Sequence, residues 1–226
     1  MSAGKPHSNV RIVVFDMDGV LVDVKSSWQF VHEAFGKNNL RNLKKYESGE
    51  MTYGQLVESD IALWGHVHLD RIKNILTKIP VMPGAKQTFE CLRNACFKTA
   101  LISAGISILA ERLQATLGLD YVFANEVLAD QQGFLTGDGV VAVILLEKLK
   151  VLNELSTREG FSLAECAVVG DSSYDIPMFR KAGLSIAFNS EEKNVQKAAD
   201  IIIEKKDLQE ILPYLIPNCL RAHPRA

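Results

Sequence analysis

Short, continuous apolar runs alternate along this chain with stretches in which apolar residues recur every three or four positions. The runs occupy residues 10–15, 99–103, 166–170, 184–188 and 200–203, and are rich in Val, Ile, Leu or Ala. Runs of that length without polar alternation predict strands of a parallel sheet covered on both faces. Between them, Ile106, Leu109, Leu113 and Leu117 form a helical stripe that stops at Gly118. Leu145, Leu149, Leu152 and Leu155 form a second stripe before Gly160. Glycine just past the last periodic residue is a helix stop, because it accepts the left-handed backbone that ends the helix. Strand–helix alternation predicts an α/β fold with a doubly wound parallel sheet.

One region departs from this pattern. Residues 26 to about 80 hold no convincing strand, are helical in composition and carry the aromatics Trp28, Phe30, Phe35, Tyr46, Tyr53 and Trp64. Connections between neighbouring strands are usually far shorter. The segment therefore predicts a small helical cap (25–80) inserted after the first strand, with a core made of 1–24 and 81–226. An insert at the C-terminal end of a strand lies over the place where such sheets bind ligands, so it reads as a lid; a purely structural elaboration is the alternative. The glycine-rich stretch 133–139 predicts a hairpin beside the core.

Composition narrows the function classes. A chain of 226 residues has room for one core domain with a small insert. Net charge is −2 and basic residues are scattered, so neither nucleic acid nor an anionic membrane surface is an expected partner. No apolar run approaches the length of a membrane helix, and the polar N-terminal stretch lacks the apolar segment of a signal peptide. Cys91, Cys96, Cys166 and Cys219 form no Cys-x-x-Cys pair, so a zinc site is not expected and the default setting is a reducing cytoplasm. Nothing in the sequence sets the oligomeric state.

Candidate chemistry gathers where the strands end. The first run closes in Asp16-Met17-Asp18-Gly19-Val20, with two carboxylates two positions apart. Side chains two apart on a strand share a face, and two like charges there call for a cation or a proton; a simple turn at Asp18-Gly19 is the alternative. The run at 166–170 closes in Gly170-Asp171-Ser172-Ser173-Tyr174-Asp175. Asp175 falls near the start of a helix expected to run to about Gly183, where an acid also complements the helix dipole. If these strands are neighbours, their acids converge on one point, and such hard oxygen donors suit Mg2+. The run at 99–103 ends in Ser103-Ala104-Gly105, a hydroxyl and small residues before a helix, which suits a phosphate group or a plain N-cap. Lys148 lies on the second helical stripe, where a surface lysine is the ordinary expectation.

Asp16-Met17-Asp18-Gly19-Val20, Ser103, Lys148 and Gly170-Asp171 with Asp175, in this order, resemble the four motifs of the haloacid dehalogenase superfamily phosphatases. Residues 117–125 and 178–189 resemble the phosphoserine phosphatase-like group, as does the position of the helical insert. The resemblance implies a Mg2+-dependent phosphomonoester hydrolase acting on a small phosphorylated metabolite. Asp16 is then the nucleophile that forms an aspartyl-phosphate and Asp18 the general acid and base. The metal ligands implied are the Asp16 and Asp171 carboxylates and the Asp18 main-chain carbonyl, with Asp175 supporting that shell. Ser103, Ala104 and Lys148 would hold the phosphoryl group.

Substrate recognition departs from the group. Where the resemblance places a glutamate for the substrate's amino group the chain has Lys25, and where it places an arginine for the carboxylate the chain has Asp60. Ala104 replaces a glycine and Tyr174 an asparagine. Lys25, Asp60 and Tyr174 are thus candidate recognition residues; the charge reversals count against phosphoserine, and a sugar phosphate, another small phosphoester or a substrate with a cationic group stay open. The alternatives are a receiver-like phospho-acceptor module, a catalytically inactive binding protein of the same fold, and a phosphomutase.

Overall fold

The computed structural model describes residues 9–216; residues 1–8 of the polar N-terminal stretch, and Cys219, lie outside them. The strands are β1 (Ile12–Phe15), β2 (Lys98–Ile106), β3 (Tyr121–Ala129), β4 (Leu135–Val140), β5 (Cys166–Gly170), β6 (Leu184–Phe188) and β7 (Ile201–Ile203). They form one seven-stranded sheet in the order β4-β3-β2-β1-β5-β6-β7. Every neighbouring pair is parallel except β3 and β4. The helices are α1 (Ser27–Ala34), α2 (Leu40–Glu47), α3 (Tyr53–Trp64), α4 (Leu69–Leu76), α5 (Ala85–Asn94), α6 (Ser107–Leu117), α7 (Lys148–Glu159), α8 (Ile176–Phe179), α9 (Lys193–Ala198) and α10 (Leu212–Leu215). None of the described helices is long and apolar enough to cross a membrane.

The five apolar runs are β1, β2, β5, β6 and β7. Strands β1, β5 and β6 are buried along their whole length, as a sheet packed on both faces requires. The periodic reading does not find β3, whose residues are mostly half-exposed and include Tyr121, Asn125 and Glu126. It pairs antiparallel with β4 across the glycine-rich hairpin. The helix after Asp175 is much shorter than expected: α8 ends at Phe179. The chain must pass so close to the backbone at 164 that a Cβ on Gly183 would lie 1.9 Å from the Ala164 carbonyl oxygen. It then bonds Gly183 N–H to the Cys166 carbonyl at 3.0 Å and enters β6.

The chain leaves β1 toward β2 on one side and later returns to β5 on the other, so β1 marks a switch point with a crevice at its C-terminal end. Helices α1 to α4 all fall between β1 and β2. Their two chain connections are tied together: Asp23 N–H donates to the Pro80 carbonyl at 2.9 Å, and Met82 N–H to the Leu21 carbonyl at 2.8 Å. Trp28 of α1 stacks on Trp64 of α3 with centroids 5.5 Å apart. Arg112 of α6 donates to the carbonyls of Leu76, the last residue of α4, and of Ile79 just beyond it, at 2.8 and 2.7 Å, tying α6 to the end of the insert.

One buried amide joins these parts. Asn125 of β3 is fully buried. Its Nδ2 reaches the Ala104 and Val143 carbonyls at 2.9 Å each and the Tyr53 hydroxyl at 3.2 Å. Its Oδ1 accepts from the N–H groups of Ala142 and Val143, both at 2.9 Å. It thereby fixes the end of β2, helix α3 and the loop that leads to Lys148. Asn125→Leu keeps similar volume but strands several of these buried groups, so it is expected to lower stability by about 3 kcal/mol. Chemical denaturation checks this; an unchanged midpoint would show that the amide adds no net stability.

Candidate active site

The parallel register sets Phe15 beside Leu101 on one side and beside Val169 on the other. Asp16 extends the ladder by one bond, its N–H donating to the Val169 carbonyl at 3.0 Å. Asp16 and Asp171, each just past a strand end, and Ser103, in β2 two residues beyond its last pairing with β1, therefore share one edge of the sheet. Asp16 Oδ1 accepts from Met17 N–H at 2.7 Å.

Lys148 is the first residue of α7 and is 3% exposed, which reverses the expectation of a surface lysine. Its ammonium sits 2.8 Å from Asp16 Oδ2 and 2.8 Å from Asp175 Oδ1. Burial opposes its charge, yet the two carboxylates hold the ammonium above its ordinary value. Asp175 is fully buried, and its Oδ2 accepts from the N–H groups of Asp171 and Ser172 and from the Ser172 hydroxyl. It thus shapes the loop that carries Asp171.

Glycines let the acids approach. A Cβ on Gly170 would lie 2.5 Å from the Asp175 carboxylate, and one on Gly19 would lie 2.1 Å from Asp171 Oδ2. Gly19 also has a positive φ of 78°, which disfavours any other residue there. One oxygen each from Asp16, Asp171 and Asp175 falls within 4.8 Å of the others. Burial, with neighbouring acids adding to it, pushes Asp16 up to about 8 and Asp171 up to about 6. Three crowded carboxylates against one buried ammonium leave excess negative charge, and an oxygen-only donor set fits a hard divalent cation.

Asp18 takes a different environment. Its Oδ2 accepts from the Ser27 N–H and hydroxyl at 2.9 Å each, whereas Oδ1 is buried without a partner among the described residues. Burial raises its pKa, and the bonds from Ser27 only partly oppose this. Ser103 and Ala104 lie in a bulge of β2: the register passes from Ile102 beside Phe123 to Ile106 beside Asn125. Three residues there oppose one, which swings the segment out of the ladder. Ser103 is not the N-cap of α6, which starts at Ser107; its Oγ instead accepts from Gly105 N–H at 3.0 Å. The Ala104 carbonyl accepts from the Trp28 indole, the Tyr53 hydroxyl and the Asn125 amide at 2.9, 3.1 and 2.9 Å.

Between the strand ends and helices α1 to α3 lies a cavity of about 510 Å3, lined by Asp16, Asp18, Ser103, Ala104, Lys148 and Asp171. Lys25, Asp60 and Tyr174 line it too. Lys25 is largely exposed and its ammonium is 3.3 Å from Asp171 Oδ2. The Tyr174 hydroxyl donates to Glu47 at the end of α2 at 2.5 Å; burial and that carboxylate raise its pKa. Asp60 is buried in α3, bonded to His32 and Asn39. Sequence reasoning did not select Ser27, His32, Asn39 or Asn125 as part of this site. Each is a polar residue amid helical or strand pattern, and burial is the signal that marks it.

A model of the haloacid dehalogenase-like hydrolases matches residues 10–183. Phosphoserine phosphatase of Methanocaldococcus jannaschii is 33% identical over 91% of this chain and 97% of its own length. That of Wolinella succinogenes is 30% identical over 91% of this chain and 100% of its own. A phosphoserine phosphatase solved as a phospho-aspartyl intermediate analogue superposes with a TM-score of 0.77 at 31% identity, covering 92% of this chain and 99% of that one. With its sheet order and strand-end acids, the chain belongs to the haloacid dehalogenase-like hydrolases and, among them, to the phosphoserine phosphatase-like phosphoric monoester hydrolases.

Proposed function

We propose that this chain hydrolyses a small phosphorylated metabolite through a phosphoenzyme on Asp16, with Mg2+ as cofactor. The observation that carries this reading is the contrast between two aspartates two residues apart. Asp16 lies against the Lys148 ammonium, whereas Asp18 is held by a serine and keeps one buried oxygen unpartnered. Carboxyls whose environments push them apart are suited to separate roles as nucleophile and proton carrier.

Asp16 attacks phosphorus, the bond from phosphorus to the substrate alcohol breaks, and Asp18 gives its proton to the departing oxygen. Water then attacks the aspartyl-phosphate while Asp18 takes a proton from it, releasing phosphate and restoring Asp16. Lys148 offsets charge on the phosphoryl oxygens, and Ser103 and the Ala104 segment position them. Asp16, Asp171 and the Asp18 main-chain carbonyl would hold Mg2+, with Asp175 supporting the set. When bound, the ion supplies positive charge that favours ionised carboxylates and offsets the phosphate dianion.

Residues 25–80 act as a lid over the core of 1–24 and 81–226, excluding water and meeting the leaving alcohol. Lys25, Asp60 and Tyr174 recognise that alcohol. A cytoplasmic setting accompanies this reading.

Phosphate release from a panel of small phosphoesters, phosphoserine included, tests the proposal. Release is expected with Mg2+, is lost with a chelator, and falls by at least about a thousandfold in Asp16→Asn. Substantial turnover by that variant would remove Asp16 as nucleophile. A stable phosphoenzyme without turnover would favour a phospho-acceptor module, and binding without either would favour an inactive protein.

A second expectation concerns protons. Burial and the neighbouring acids hold Asp16 and Asp171 above the ordinary carboxylate range, so protons compete with the metal for this site near neutral pH. Metal binding must displace them, so Mg2+ affinity weakens as pH falls from 8 toward 6. Calorimetry at pH 7 in buffers of different ionisation enthalpy reads the released protons directly. Binding heats independent of buffer would show that the free site is already ionised.

A further inference from the structure

Asp60 is only 7% exposed. Carboxylates this buried usually face a basic side chain, because an unpaired charge away from water is costly. Here both partners are neutral donors. His32 accepts the Trp64 indole N–H on Nδ1 at 2.9 Å, so the ring hydrogen lies on Nε2 and is donated to Asp60 Oδ1 at 2.9 Å. The Asn39 amide donates to the same oxygen. Oδ2 takes neither bond and has no partner among the described residues, while Asp60 forms part of the cavity wall.

No lysine or arginine among the described residues pairs with Asp60. The two lysines that line the cavity are engaged elsewhere: Lys148 lies between Asp16 and Asp175, and Lys25 leans on Asp171. The wall contributed by the inserted helices carries Leu40, Leu43 and Leu56 beside the uncharged polar side chains of Gln29, His32, Asn39 and Tyr53. This is an acceptor with a fixed orientation, set in a wall of leucines and uncharged polar groups and lacking one cation.

We infer that Asp60 selects the leaving group: the cavity takes a phosphomonoester whose alcohol carries a protonated amine on a short aliphatic chain. The inference rests on the phosphatase reading above and adds the chemical class of its substrate. An ammonium forms a charge-assisted bond with Oδ2 while its methylenes lie against the leucines. A hydroxyl in the same place offers a bond without the charge, and a carboxylate is repelled. His32, Asn39 and Trp64 are positioning residues, since they act by aiming Asp60.

The experiment compares ω-aminoalkyl phosphates, from phosphoethanolamine to its longer homologues, with hydroxyalkyl and carboxyalkyl phosphates of matched length. At the best length, kcat/KM is expected to favour the amine over the hydroxyl by roughly tenfold or more, and the carboxylate least. In Asp60→Asn the amine-to-hydroxyl ratio is expected to collapse toward one, a change that a general loss of packing would not produce. Equal use of the three classes by the wild type, or an unchanged ratio in the variant, overturns the inference while leaving the phosphatase reading intact. If Asp60→Asn does not fold, the wild-type order alone decides. Absence of phosphate release from every ester would sink the phosphatase reading instead. Titration of the same compounds onto Asp16→Asn then still reports whether binding prefers the amine.

Discussion

A lysine ammonium buried between two carboxylates sets the terms for the whole C-terminal edge of the sheet. Lys148 has almost no contact with water, and neither have Asp16 and Asp175. Burying any one of these charges alone would be strongly unfavourable, and breaking such a set leaves an uncompensated charge. The three groups are therefore obliged to stay together. That obligation fixes α7 against the ends of β1 and β5 and pins the loop that carries Asp171. It also leaves the acids in excess, which is why the oxygen-only set suits a cation.

The surrounding backbone is shaped to make that cluster possible. Gly170 and Gly19 permit carboxylates to approach where a methyl group would collide. The bulge in β2 takes Ser103 and Ala104 out of the ladder, and Trp28, Tyr53 and Asn125 all anchor the Ala104 carbonyl. Two of those three anchors belong to the inserted helices. The bulged segment is thus held from both sides of the cavity, and a displacement of α1 or α3 would be felt at Ala104 as well as at Asp60. Tyr174 adds a further link, joining the loop after β5 to the end of α2 through Glu47.

The two ends of the cavity differ in how they handle negative charge. At the floor, acids are crowded around a lysine and suit a metal and a phosphoryl group. Toward the inserted helices, the single acid Asp60 is oriented by neutral donors and left with an open oxygen. A substrate that satisfies both ends carries a dianion at one end and a cation at the other. Such a substrate separates its charges as the cavity does, and Leu40, Leu43 and Leu56 in the wall offer apolar surface to an aliphatic connection.

Sequence alone determined the frame. The runs at β1, β2, β5, β6 and β7 are legible because a sheet covered on both faces must be apolar at nearly every position. The acids at their ends stand out because charge directly after such a run is unusual. Tertiary structure decided what periodicity cannot encode. Strand β3 escaped because, lying near the sheet edge, it mixes exposed and buried positions. Helix α8 is short because Gly183 must approach the backbone at Ala164, a contact between distant segments. Lys148 sits on an ordinary helical stripe, and only the assembly of β1, β5 and α7 buries its ammonium between Asp16 and Asp175. Asp60 was visible as a charge out of keeping with the resemblance. Its neutral partners His32 and Asn39, the indole that fixes the histidine tautomer, and its open oxygen exist only once three inserted helices meet, because hydrogen-bond direction is set by packing and not by spacing along the chain.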